Sequence, residues 1–329
     1  MSGRMRILVT GSSGHLGEAL VRVLRADGHD VLGLDVLPSP STSVVGSITD
    51  RECVARCMRS VDAVVHSATL HKPHVGSHDR TQFVETNIAG TLHLLEEAVA
   101  AQVSRFVFTS TTSAFGRALQ PDMGEPAAWI TEAVAPVPRN IYGASKTAAE
   151  DLCELIWREH GLPCLILRTS RFFPEPDDRE EVRNAYDDLN LKVNELLYRR
   201  VDLEDVVGAH LLALKRAPAI GFGRFLISAT TPLGREDLTD VRNDLPAVVE
   251  RLYPDYPKIY AARDWRMFPS IERVYVNERA RRELGWVPQY DFRHALDRLA
   301  AGEDPRSPLA RNIGAKGYHE DSTGVYTVR

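Results

Sequence analysis

Apolar and polar positions along the first half of the chain fall into two alternating rhythms. Short, continuous apolar runs predict strands at 6–11, 31–35, 63–68, 106–111 and 164–170. Between them, apolar residues at helical spacing predict helices near 15–27, 50–59, 80–101 and 142–160. In HLGEALVRVLRADG, Leu16, Ala19, Leu20, Val23 and Leu24 form one stripe, and Gly28 follows where a left-handed cap is favoured. Runs such as AVVHSA and RFVFTS suit a parallel sheet buried on both faces. Strand and helix in alternation predict an α/β fold, a doubly wound parallel sheet.

The second half is organised differently. An acidic, proline-bearing stretch, EPDDREEVRNAYDD, leaves the sheet to build a smaller substrate lobe. VDLEDVVGAHLLAL and FLIS resume the apolar pattern, so 201–228 is expected to return to the sheet. The expected division is therefore 1–170 for the sheet domain, 171–301 mainly for the lobe, and 302–329 for a polar tail or arm.

A length of 329 residues, 43% hydrophobic and 26% charged, describes a globular chain with a substantial core. The net charge of −5 supplies no general attraction to nucleic acid, and no apolar run reaches the ~18 residues that span a bilayer. Neither partner is expected. Cys53, Cys57, Cys153 and Cys164 form no C-x-x-C pair and read as buried thiols of a reducing cytoplasm. A homodimer is the expected assembly.

The first strand runs into GSSGHLG, with Gly11, Gly14 and Gly17 three residues apart. Such a turn lets backbone and the following helix N-terminus approach a pyrophosphate. Asp35, 18 residues beyond Gly17, ends the next strand, where an acid accepts the adenosine ribose hydroxyls and repels the extra phosphate of NADP. Tyr142 and Lys146 form Y-x-x-x-K, one helical turn apart on one face. A neighbouring ammonium favours the phenolate, and a phenol so placed exchanges a proton with a substrate hydroxyl while hydride moves to or from nicotinamide. Thr111, 31 residues before Tyr142, emerges at a strand end in FTSTTSAFG, where its hydroxyl can hold the substrate oxygen. The segment LHKPHVGSH carries His71, His74 and His78. Glycine and proline interrupt it without a carboxylate or cysteine framework, so these read as pocket-lining or surface histidines and no metal site is expected.

Together these motifs resemble the extended short-chain dehydrogenase/reductases, the group of nucleotide-sugar epimerases, dehydratases and related reductases, over most of the chain. The resemblance implies a Rossmann-type sheet, NAD as cofactor and a carbohydrate or nucleotide-sugar substrate. It implies cofactor contacts at Gly11, Ser13, Gly14, His15, Leu16, Gly17 and Asp35, then Ser47, Ile48, His66, Ser67, Ala68, Asn87, Ser110 and Ser170. Tyr142, Lys146 and Thr111 take the catalytic positions, the first two also touching cofactor. Ser47 stands where the family usually has an Asp. Thr112 and Ser113 replace the Asp and Glu that eliminate water in sugar dehydratases, which speaks against dehydration and leaves Ser113 as a substrate contact. Arg171 replaces an asparagine and Pro174 a glycine after the sixth strand. Two readings of Arg171 stay open, a bidentate grip on an anionic substrate group or an ion pair with Glu175, Asp177 or Asp178. The stretch from Arg171 to Val201 is short for a nucleotide-diphosphate cradle, which favours a smaller substrate. Epimerase and net dehydrogenase share the first hydride step and are not separated here. A non-catalytic NAD sensor is the competing class, and such proteins often lack the tyrosine or lysine that this chain keeps.

Overall fold

The computed structural model describes residues 3–316. The first half runs β1 (Arg6–Thr10), α1 (His15–Ala26), β2 (Asp30–Asp35), β3 (Val44–Val45), α2 (Arg51–Cys57) and β4 (Ala63–His66). A helical run follows, α3 (Arg80–Phe83) and α4 (Gly90–Ala100), then β5 (Arg105–Thr111), β6 (Ala128–Ile130), α5 (Ile141–His160) and β7 (Cys164–Thr169). Beyond it come α6 (Glu180–Ala185), α7 (Asp188–Glu195), α8 (Leu203–Ile220), β8 (Phe222–Ile227), α9 (Asp240–Asn243), α10 (Leu245–Leu252) and α11 (Tyr256–Ala261). The last elements are β9 (Arg273–Tyr275), α12 (Phe292–Ala300) and α13 (Pro308–Ile313).

Seven parallel strands form one sheet in the order β3-β2-β1-β4-β5-β7-β8. This is the doubly wound Rossmann-type sheet that the strand–helix alternation implies. Its strands are apolar throughout because each side chain meets a helix layer, whichever face it takes. Ile7, Val9, Val65, Val107, Leu165 and Leu167 pack with residues of α1 and α8 on one side. Leu8, Val64, Phe106, Phe108 and Ile166 alternate with them and meet α2, α4 and α5 on the other. A separate core built on Leu191, Leu197, Leu245, Val249, Tyr260 and Phe292 holds the smaller lobe. Strands β6 and β9 pair in a second, two-stranded ladder.

The apolar periodicity at 80–101 reads as one helix, but a π-helical turn at Val84–Ala89 interrupts it. Asn87 lies in that turn. Helix α5 is bounded by local chemistry: the Asn140 side chain accepts the Gly143 N–H, and Gly161 closes it at φ 69°. Of the segment expected as a tail, residues 302–316 fold back onto the sheet domain. Leu309, Ala310 and Ile313 of α13 pack into the same core as α1 and α8. Residues 317–329 lie outside the described residues.

Candidate active site

The strand order turns outward on both sides of β1 and β4, and a crevice opens at the carboxyl ends of these two strands. A cleft of about 1560 Å³ occupies it and continues to the lobe. The turn after β1 forms its floor. Gly11 has φ +72°, and a Cβ there would lie 2.7 Å from the Ala68 nitrogen. A Cβ on Gly17 would lie 1.9 Å from the Gly11 carbonyl oxygen. Only glycine allows this approach, which leaves the N-terminal amides of α1 facing the cleft. Ser13, Gly14, His15 and Leu16 complete the wall, although the His15 ring turns away to Glu175 at 2.8 Å.

Asp35 sits across the turn, where Oδ2 accepts the Ser13 N–H at 3.0 Å and Oδ1 the Leu37 N–H at 2.9 Å. The next residues, Val36 and Leu37, are exposed and uncharged. Asp35→Asn is therefore expected to narrow a preference for NAD over NADP by about tenfold, the scale of one screened charge contact. Isothermal titration of both cofactors checks this, and an unchanged ratio counts against the role.

Ser47, Ile48, Ser67, Ala68 and Ser110 also line the cleft. The Ser47 hydroxyl is folded onto Thr49, accepting its N–H at 3.1 Å, and Ile48 packs against Gly90. Ser170 is buried, and its hydroxyl has no hydrogen-bond partner among the described residues. An orphaned hydroxyl on the wall of a glycine-floored cleft fits a polar cofactor that supplies the missing bond.

Two expected contacts do not reach the cleft as side chains. His66 is fully buried, with Nδ1 at 2.7 Å from Thr10 Oγ1 and Nε2 at 2.9 Å from Thr91 Oγ1. Burial holds its pKa well below the usual range, so it is a neutral strut between β1, β4 and α4. Asn87 is likewise interior. Its Oδ1 accepts the Leu70 N–H at 2.8 Å, and its Nδ2 donates to Ser145 Oγ at 2.9 Å, tying the loop after β4 to α5.

Thr111 and Ser113 stand at the end of β5, and the Thr111 hydroxyl accepts the Ser113 N–H at 3.1 Å. Tyr142, on the first turn of α5, lines the same cleft. Burial pushes the Tyr142 phenol up to about 12, against the smaller, lowering effect of Thr111. Desolvation of the phenolate is the larger effect on the resting phenol. Lys146 is buried one turn further in, its ammonium 3.9 Å from the centroid of the Phe108 ring. Desolvation lowers it to about 7, opposed by the nearby Cys153 and Glu150.

Arg171 lines the cleft beyond Ser170, and its guanidinium is engaged by the chain's own carboxylates. Nη1 reaches Asp177 at 2.7 Å and Glu195 at 2.9 Å. The ion-pair reading thus describes the geometry, with one of the anticipated partners, Asp177, and one 24 residues away that spacing could not indicate. Arg171→Lys is accordingly expected to lower the melting temperature by a few degrees and leave the Michaelis constant within about twofold. Both are measured on the one variant.

Other residues on this wall carried little signal in the sequence. Tyr198, Arg199 and Arg273 line it, and so does Lys316, whose ammonium pairs with Glu18 of α1. The paired arginines at 199–200 before the sheet-returning helix were the only local hint. His71, His74 and His78 also line the cleft, with neighbouring ring centroids 4.7 and 4.9 Å apart. Among the described residues no group of three or more His, Cys, Asp or Glu side chains is arranged to hold a metal ion.

A parallel Rossmann-type sheet, a glycine turn facing a strand-end acid, and a Tyr-x-x-x-Lys helix beside them define an extended short-chain dehydrogenase/reductase. The model of the NAD dependent epimerase/dehydratase family matches residues 7–223, and the chain belongs to that family. NAD is its cofactor, and it is an enzyme of the epimerase and dehydrogenase type. UDP-glucose 4-epimerase of Streptomyces lividans is 27% identical over 320 residues, which is 88% of this chain and 92% of that protein. Uronate dehydrogenase of Pseudomonas syringae pv. tomato is 27% identical over 205 residues, 59% of this chain and 70% of that one. A solved short-chain dehydrogenase/reductase superfamily protein from Agrobacterium tumefaciens, with bound NAD, superposes with a TM-score of 0.64 at 25% identity. The match covers 93% of this chain and 97% of that protein. No helix among the described residues is long and apolar enough to cross a membrane.

Proposed function

We propose that this enzyme oxidises or reduces a hydroxyl-bearing carbon of a sugar or nucleotide sugar, with Tyr142 handling the proton. NAD, when bound, accepts or returns the hydride. The phenol of Tyr142 is protonated at neutral pH, so the resting site is set to donate a proton to a carbonyl oxygen. In the oxidative direction the substrate hydroxyl passes its proton to the phenolate, whose formation the charge of Lys146 favours. Thr111 holds the same substrate oxygen. Gly11, Ser13, Gly14, Leu16 and Gly17 cradle the pyrophosphate, Asp35 the adenosine ribose, and Ser110 and Ser170 the nicotinamide end. Residues 1–170 thus carry cofactor and proton chemistry, and 171–301 mainly shape the substrate. A homodimer belongs to the same reading, and four buried free thiols suit a reducing cytoplasm.

The observation that carries the proposal is the Tyr142 phenol and the Thr111 hydroxyl together on the cleft wall, with Thr111 acting on the phenol against its burial. Its test is incubation with NAD and a panel of UDP-hexoses, free hexoses and uronates. NADH formation marks a net dehydrogenase, and interconversion of stereoisomers without net NADH marks an epimerase. Failure of every hydroxyl sugar to do either removes the proposal.

One observation favours a smaller, anionic substrate as the second reading. Arg171, Arg179 and Arg199 line the cleft and gather around two buried carboxylates, Asp177 and Glu195. A sugar acid suits those arginines, and the uronate dehydrogenase relative acts in the same sense.

A further inference from the structure

Tyr142, Lys146 and Glu150 succeed one another at single-turn intervals along one face of α5. Glu150 has no exposed surface. Its Oε1 accepts the Ser110 hydroxyl at 2.6 Å and Arg168 Nε at 3.0 Å. Its Oε2 accepts Arg168 Nη2 at 2.7 Å and Arg224 Nε at 3.1 Å. One carboxylate therefore ties α5 to β5, β7 and β8, and the β5 residue it grips immediately precedes Thr111.

Arg168 approaches from β7 and stacks over Phe115, 5.0 Å from the ring centroid, whereas Lys146 lies over Phe108. Arg224 divides its charge between Glu150, Asp151 and Glu154. The other titratable groups facing Lys146 carry no charge at neutral pH. His66, from β4, is neutral through burial, and Tyr142 is a phenol. Cys153, on α5 beside Cys164 of β7, is pushed up as a thiol by its own burial.

Resting on the reading of function above, we propose that Glu150 is a positioning residue for the reaction. Its carboxylate favours the ammonium form of Lys146 beneath Tyr142, and its bond to Ser110 holds the end of β5 where it presents Thr111. Glu150 is buried and does not line the cleft. It acts through the two groups on either side of it.

The protein has six lysines, so lysine labelled with carbon-13 at Cε yields few signals, and Lys146→Arg identifies the relevant one. Titration by NMR then reads the Lys146 midpoint directly, in the full chain, with and without NAD. Glu150→Gln is expected to lower that midpoint by about one unit, the scale on which a nearby opposite charge shifts a pKa. Glu150→Asp keeps the charge, and its midpoint is expected within about 0.3 unit of the parent even though packing and melting temperature change. Should Glu150→Gln not fold, Glu150→Gln/Arg168→Met removes the charge together with its buried partner and carries the same expectation. Where a turned-over sugar is in hand, the alkaline limb of kcat moves down by the same amount in the Gln variants. An unchanged midpoint in the Gln variants, or an equal fall in Glu150→Asp, makes Glu150 a purely structural residue and overturns the proposal. Absence of turnover with any sugar overturns the functional reading instead, because the lysine titration needs no substrate.

Discussion

Tyr142→Phe is expected to lower turnover by about 10²–10⁴-fold while leaving fold and NAD affinity close to the parent. The substitution deletes one hydroxyl and keeps the ring. The ring is 9% exposed, so its packing against the first turn of α5 survives, while the cleft loses the proton donor that faces Thr111. The loss should appear in kcat for whichever sugar is turned over, and isothermal titration with NAD should change little. Near-normal kcat in the variant would falsify the assignment of Tyr142. Thr111→Val, which removes an anchor that water can partly replace, is expected to show a milder defect in the same assay.

Lys146→Met should separate stability from activity. Loss of one preorganised electrostatic group at a buried site typically costs about 10²–10³-fold in kcat. The same change removes a buried ammonium whose desolvation lowers its pKa from 10.5 to about 7. Between those values the unfolded chain binds more protons than the folded one, so parent stability rises with pH across that window. Below about 7 the full desolvation cost is present. Methionine fills the same space over Phe108 with no charge to desolvate. The variant should therefore melt higher than the parent at pH 7 and below, and its advantage should shrink as the pH rises toward about 9 to 10. Calorimetry at three pH values measures this. A constant difference between the two proteins across that range would mean that Lys146 carries no such cost.

Much of this enzyme was legible in short stretches of sequence. Gly11 and Gly17 announced the turn, since no other residue permits contacts as close as those they make with Ala68 and with each other. Tyr142 and Lys146 share a helix face through the geometry of a single turn, whatever lies around them. The strands at 63–68 and 106–111 showed by their continuous apolar runs that both sheet faces are covered. These features depend on a residue and its neighbours within a turn or two.

Other features depended on which segments meet. His66 resembled a cofactor contact, yet Thr10 and Thr91, distant in sequence, take both of its ring nitrogens inside the core. Glu195 reaches Arg171 across 24 residues because α7 folds back beneath the end of β7. The helix expected over 80–101 has the right apolar repeat, but the π-turn places Asn87 against Leu70 and Ser145, contacts that periodicity does not encode.

The chain by itself thus determined the sheet, the phosphate turn, the strand-end acid and the Tyr-Lys pair, because backbone geometry and hydrophobic period act locally. Only the tertiary structure decided the protonation of that pair and the partners of Arg171. The depth of burial sets the first, lifting the phenol to about 12 and dropping the ammonium to about 7, and the meeting of remote charges sets the second. Both arise from long-range packing, which places the same side chains in a medium poorer in water than any sequence neighbour could impose.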